Sequence, residues 1–148
     1  MWQQCNPNPI IKKYKKGKNK GKDILKSDCV IRAMSLIWNV DWMTTSKRLA
    51  ERSFELAEAQ TARPVYESFL KPSGIPVFIK DAFGRRRYMT VEEFAKSTEH
   101  KYGKYLLSTP HHLVCVHHGK YFDTWDSGDQ TVRKIWIIKE CFFNKSMV

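Results

Sequence analysis

A cysteine, a histidine and an aspartate stand along this chain in the order that a nucleophilic thiol site requires. Cys29 sits at the opening of an apolar run, Asp28-Cys29-Val30-Ile31-Arg32-Ala33-Met34, which predicts a thiol in the first turn of a helix. A helix start presents free backbone N–H groups and partial positive charge, and both favour thiolate over thiol. Far along the chain, His112-Leu113-Val114-Cys115-Val116-His117 and Lys120-Tyr121-Phe122-Asp123 read as two strands of a hairpin. An imidazole can take the thiol proton, and a carboxylate can hold that imidazole in one tautomer. The chemistry such a trio supports is attack by sulfur on a carbonyl carbon, with the proton passed on to the leaving group.

The hairpin must place His and Asp together for this to work. His118-Gly119 is the expected two-residue turn, because Gly tolerates the positive φ that such turns demand. That register opposes His117 to Lys120, Cys115 to Phe122 and His112 to Trp125. Faces repeat every second residue, so His112 and Asp123 share one face, offset diagonally by one pair. His111 and Asp126 share the other, and a one-residue slip would exchange the two assignments. Asp123 is therefore the expected partner and Asp126 the reserve.

The elements around these residues divide the chain into helices first and strands afterwards. Cys29–Trp38 is apolar on most sides, as a central helix would be, with Ser27 or Asp28 as N-cap. A second helix is expected from Asp41 to about Glu58, and a short third one from Pro64 through Leu70. Residues 75–80 look like a short strand and Gly84–Arg87 like an exposed basic turn. Thr90-Val91-Glu92-Glu93 is a capping box that opens a fourth helix. Segments 104–109, 112–117, 120–125 and 131–139 are β-rich and separated by turn residues. This order predicts an α+β domain with an antiparallel sheet carrying His and Asp. Trp42, Trp125 and Trp136 are expected in its core, with Trp125 near enough to shield the His–Asp pair.

At 148 residues, with 42% hydrophobic and 13% aromatic content, the chain suits one folded domain plus a tail. The expected boundary is a flexible basic tail over 1–26 and the α+β domain over 27–148. The net charge is +11, and residues 1–26 hold eight Lys against one Asp. Lys12, Lys13, Lys15, Lys16, Lys18, Lys20 and Lys22 suit contact with polyanions, since lysines neutralise phosphate or carboxylate without reading sequence. The partners expected for residues 10–26 are an acidic protein, a virion surface or a nucleic acid. Gly17 and Gly21 among like charges exclude a stable helix there.

No apolar run approaches the roughly 20 residues of a membrane span, and no secretory leader opens the sequence. A cytoplasmic location without membrane contact is the corresponding expectation. Cys5, Cys29, Cys115 and Cys141 lack zinc spacing, and adjacent histidines alternate between faces, so neither a metal nor a cofactor is predicted. Cys115 and Cys141 read as small core residues.

The three segments resemble the papain-like cysteine peptidases, above all their small bacterial and phage members and the bacteriocin-leader peptidase domains of transporters. In that family a Cys begins a buried helix, a His opens a strand, and an Asn or Asp on the next strand orients the His. Asp28-Cys29, His112-Leu113-Val114 and Asp123-Thr124-Trp125 follow this order, and the last trio is similar to the Asn-Ser-Trp of plant members. Small phage proteins with an Asp-Cys-Val-x-Arg-Ala start and a Tyr/Phe-Asp-Thr-Trp-Asp finish are also similar. The resemblance implies a papain-like fold and a hydrolase of peptide, isopeptide or related amide bonds, with Cys29, His112 and Asp123 as the triad. If phage-encoded, it would work in the host cytoplasm or the virion. One position departs from the family, which places a Gln six residues before the Cys where this chain has Asp23. Losing one oxyanion donor typically costs ~10²–10³ in rate. The donors left to consider are the Cys29 backbone N–H with Asn19, Lys26 or another group. The alternative implied by that departure is a weak or inactive papain-like fold, serving as a virion structural or host-interaction protein anchored by its basic tail.

Overall fold

Helix α1 spans Cys29–Trp38 and is buried on almost every side, with Met34 fully enclosed. Its apolar residues leave no wet face, so the chain must wrap it, and truncating a side chain such as Met34 to Ala would cost ~2–5 kcal/mol. The computed structural model describes residues 1–10, 12–22, 28–70 and 74–138. Strand β1 (Trp2–Gln4) comes before α1. After it come α2 (Trp42–Leu56), α3 (Arg63–Glu67), β2 (Phe78–Lys80), β3 (Arg86–Tyr88) and α4 (Val91–Lys96). Four strands close the described chain: β4 (Lys104–Thr109), β5 (His112–His117), β6 (Lys120–Asp123) and β7 (Lys134–Ile137). The protein is α+β, as the order of periodicities predicts.

Local chemistry accounts for most boundaries. Asp41 caps α2 by accepting from the Thr44 N–H at 3.1 Å, which offsets the weak Thr44-Thr45-Ser46 opening. Pro64 sits in the first turn of α3, which ends at Glu67 rather than running to Leu70. Both bonds of the Thr90–Glu93 capping box form at α4. The expected strand over 75–80 is shorter, because Ile75 bridges Ile135 instead of continuing β2. Of the expected basic turn, only Gly84, at φ 75°, and Arg85 lie outside strands; Arg86 and Arg87 belong to β3, which pairs with β2.

The main sheet runs in the order β1-β6-β5-β4-β7, antiparallel except for β1, which lies parallel to β6. Alternation gives it two apolar faces. Leu106, Leu113, Cys115 and Trp136 pack with α1, Leu49 of α2, and Val65 and Tyr66 of α3. Leu107, Val114, Val116, Tyr121 and Ile135 pack with Val91, Phe94 and Ala95 of α4. A sheet covered on both sides holds its central strands in one register, because a slip would turn each face inside out.

One expectation needs correction here. Residues 1–26 are not a tail throughout, since Trp2, Gln3 and Gln4 pair with Tyr121, Phe122 and Asp123. Trp2 packs against the second core cluster and the Met1 ammonium donates to the Gly119 carbonyl at 3.1 Å. Strand β6 would otherwise present an open edge, and β1 covers it. The lysine stretch 12–22 is instead a local loop. Tyr14 N–H donates to Lys22 O and Gly21 N–H to Tyr14 O, with Gly17 and Gly21 both at φ 84°. No helix among the described residues is long and apolar enough to cross a membrane.

Candidate active site

The β5–β6 turn forms with His118 and Gly119 both at positive φ, 49° and 74°, which suits the twist of the flanking strands. Cys115 then opposes Phe122 and His117 opposes Lys120, the register read from the sequence. Its consequence is the expected diagonal contact: His112 Nε2–H donates to Asp123 Oδ2 over 2.5 Å. Asp126, the reserve, is elsewhere; its Oδ1 accepts from Tyr121 Oη at 2.6 Å and from the Gly128 N–H.

Helix α1 brings Cys29 to the start of β5. Its thiol shares a hydrogen bond with the His112 ring and another with the Leu113 backbone N–H. Burial pushes the Cys29 thiol up, but the His112 bond, the Leu113 N–H and the charges of His112 and Arg32 outweigh it and hold the thiol below its ordinary range. His112 mirrors this. Burial disfavours its charged form, yet the bonds to Asp123 and Cys29 and their charges raise it to about 9. The two shifts are coupled, each charged form favouring the other.

Asp123 is almost fully buried and has no spare oxygen. Oδ2 also accepts from Ser127 Oγ at 2.8 Å, Oδ1 accepts from the Thr124 N–H at 2.8 Å, and Arg32 lies 3.6 Å from Oδ1. Burial favours its neutral form, but His112, Ser127 and Thr124 together keep it below the usual carboxylate range. Trp125 tilts over His112 with ring centroids 5.1 Å apart. At 38% exposed it covers the pair from outside rather than joining the core, where it was expected; Trp136 is a true core residue.

Asp28 occupies the N-cap position of α1 without making a cap bond. Its carboxylate turns away to accept from Arg32, from Asn8 Nδ2 at 2.9 Å and from Trp42 Nε1 at 2.9 Å. The first N–H groups of α1, that of Cys29 included, are thus left uncapped by this side chain. Asp23, Lys26, Ser27 and Cys141 lie outside the described residues. Asn19 belongs to the lysine loop, where its carbonyl accepts from the Lys22 N–H, and is not among the residues lining the cleft.

That cleft, of about 610 Å³, opens beside Cys29 and His112, with Tyr66, Arg63, His111 and Arg133 on its walls. The Tyr66 hydroxyl is pushed up to about 12, chiefly by burial. Four contributors escaped the sequence reading. Arg32 had a visible signal in its i,i+4 spacing from Asp28, and Ser127 a weaker one in the short turn after Asp123. Asn8 and Tyr66 had none, because their partners are distant in the chain.

Lys12, Lys13, Lys15, Lys16, Lys18, Lys20 and Lys22 are all exposed, on the lysine loop. Among the described residues, no three His, Cys, Asp or Glu side chains gather as a metal site. Cys115 is buried in the core, its thiol pushed up to about 12, and the Cys5 thiol is also raised by burial. The chain matches no family model, no curated protein and no solved structure.

Proposed function

We propose that this chain is a small papain-like cysteine hydrolase acting on peptide, isopeptide or related amide bonds. The observation that carries the reading is the relay Cys29–His112–Asp123, in which one imidazole is hydrogen-bonded to both the thiol and the buried carboxylate. Thiolate Sγ attacks the carbonyl carbon, and the C–N bond breaks as the imidazolium proton passes to the leaving amine. Water then attacks the thioester, His112 takes its proton, and the carboxylate product leaves as the C–S bond breaks. Asp123 keeps His112 oriented throughout, and its bonds to Ser127 and Thr124 keep Asp123 itself in place.

The test is differential alkylation at neutral pH with iodoacetamide, mapped by peptide mass. Cys29 is expected to react much faster than Cys5 or Cys115, and loss of that preference in His112→Ala ties it to the imidazole. Equal reactivity of the three thiols overturns the reading.

The exposed lysine loop favours a second reading, in which the same fold acts as a virion structural or host-interaction protein held by that loop to an acidic partner. A Cys29→Ala chain that keeps its full biological effect supports this reading over hydrolysis.

A further inference from the structure

The cleft beside Cys29 has a one-sided charge. Two arginines and two histidines line it, and among the described lining residues none is acidic. The two buried carboxylates among the described residues are both engaged, Asp28 by Arg32, Asn8 and Trp42, and Asp123 by His112 and Ser127. Arg63 is tied to Glu67 on its own helix at 3.4 Å. Arg133 makes no ion pair among the described residues, and its guanidinium rests over the Tyr88 ring, 4.8 Å from the centroid. Stacking uses the face of a guanidinium and leaves the N–H donors at its edge for a carboxylate.

A second observation comes from the β4–β5 turn. Thr109 pairs with His112, so Pro110-His111 is a two-residue loop, and His111 is its second central residue at φ 59°. That position favours Gly or Asn, and a bulkier residue there costs on the order of 1 kcal/mol. The same histidine lines the cleft, so its ring is within reach of a bound side chain.

We infer that the cleft selects an acidic side chain, Asp or Glu, next to the scissile bond, with Arg133 and Arg63 as the recognising groups and His111 beside them. This rests on the hydrolase reading. A carboxylate bound in the cleft can make charge-assisted bonds to these guanidiniums that a neutral amide of the same shape cannot make. Focusing in a concave site raises the local concentration of such groups as well.

The probes are two chloromethyl ketones of equal shape, N-acetyl-glutamyl and N-acetyl-glutaminyl. Each alkylates a thiol with loss of chloride, so no substrate sequence need be known. Their rates at Cys29 are compared at low ionic strength. The expected ratio favours the glutamyl probe by about tenfold and falls toward one in Arg133→Gln combined with Arg63→Gln, and in the unmodified chain at high salt. Both arginines are solvent-facing, so these variants keep the core intact. A ratio at or below one overturns the inference, as does a preference that survives the double variant. Either result leaves the hydrolase reading standing if Cys29 still outpaces Cys5 and Cys115 with neutral iodoacetamide.

Discussion

Asn8 donates through Nδ2 to Oδ2 of Asp28 at 2.9 Å, so a residue from the N-terminal arm holds the position immediately before Cys29. Three residues earlier the Cys5 N–H donates to the carbonyl of Asp123. One short segment therefore ties together the helix that carries the thiol and the strand that carries the carboxylate. Asn8→Ala removes a buried bond to a charged group and should cost about 1–3 kcal/mol in urea unfolding. Deleting residues 1–10 removes β1 as well and should lower stability further. A truncation with an unchanged melting curve would show the arm to be dispensable.

The titration of the pair has a distinctive signature. In the unfolded chain the imidazole loses its proton near 6.5 and the thiol near 9.0, whereas the folded site holds a lowered thiol and an imidazole at about 9. The raised His112 favours the fold below 6.5 and loses that contribution as pH rises through about 9. The depressed Cys29 favours the fold above 9.0 and loses that contribution as pH falls through its folded value. At any pH above both 6.5 and the folded value of Cys29, and below about 9, both states hold one proton on the pair, so its net effect on the pH slope of stability there is near zero. Cys29→Ala leaves His112 raised by Asp123 alone, and stability should then fall with rising pH above 6.5. Urea midpoints across pH 6–10 for both chains supply the comparison, and parallel curves would count against the coupled pair.

Asp123 and Asp126 make different predictions. Asp123→Asn should shift the pH profile of Cys29 alkylation upward by about one unit, a tenfold loss of thiolate at a given pH below it. Asp126→Asn disturbs only the Tyr121 and Gly128 contacts and should leave that profile in place. The reverse outcome would reassign the orienting carboxylate.

Arg32 and Asp28 are both buried, and they pair one helical turn apart. Arg32→Met or Asp28→Asn alone leaves a buried charge without its closest ion-pair partner and should cost about 3–5 kcal/mol. The double variant should cost less than the sum, and strict additivity in a double-mutant cycle would remove the pair as a structural unit.

The lysine loop is separable from the arm. Replacing Lys12, Lys13, Lys15, Lys16, Lys18, Lys20 and Lys22 with Gln should leave the melting temperature nearly unchanged, because every one is exposed. Binding to heparin or duplex DNA should weaken, and its dependence on salt should flatten. Retained binding with the same salt slope would place the contact elsewhere.

Much of the site was legible because its determinants are local. His118-Gly119 sets the turn, the turn sets the register, and the register puts His112 diagonal to Asp123. The apolar encirclement of Cys29–Trp38 and the Thr90 capping box are equally short-range patterns. Asn8, β1 and the outward place of Trp125 were not legible. Nothing in the period of residues 2–8 says that they will cover the edge of β6, since that depends on which edge is left open once the sheet has formed. Nor does the spacing of Asp28 from Asn8 and Trp42 say that its carboxylate will abandon the helix cap for them. Turn type and face alternation are decided by neighbours within a few residues. Partners for a buried charge are decided by whichever polar groups the folded core leaves within reach.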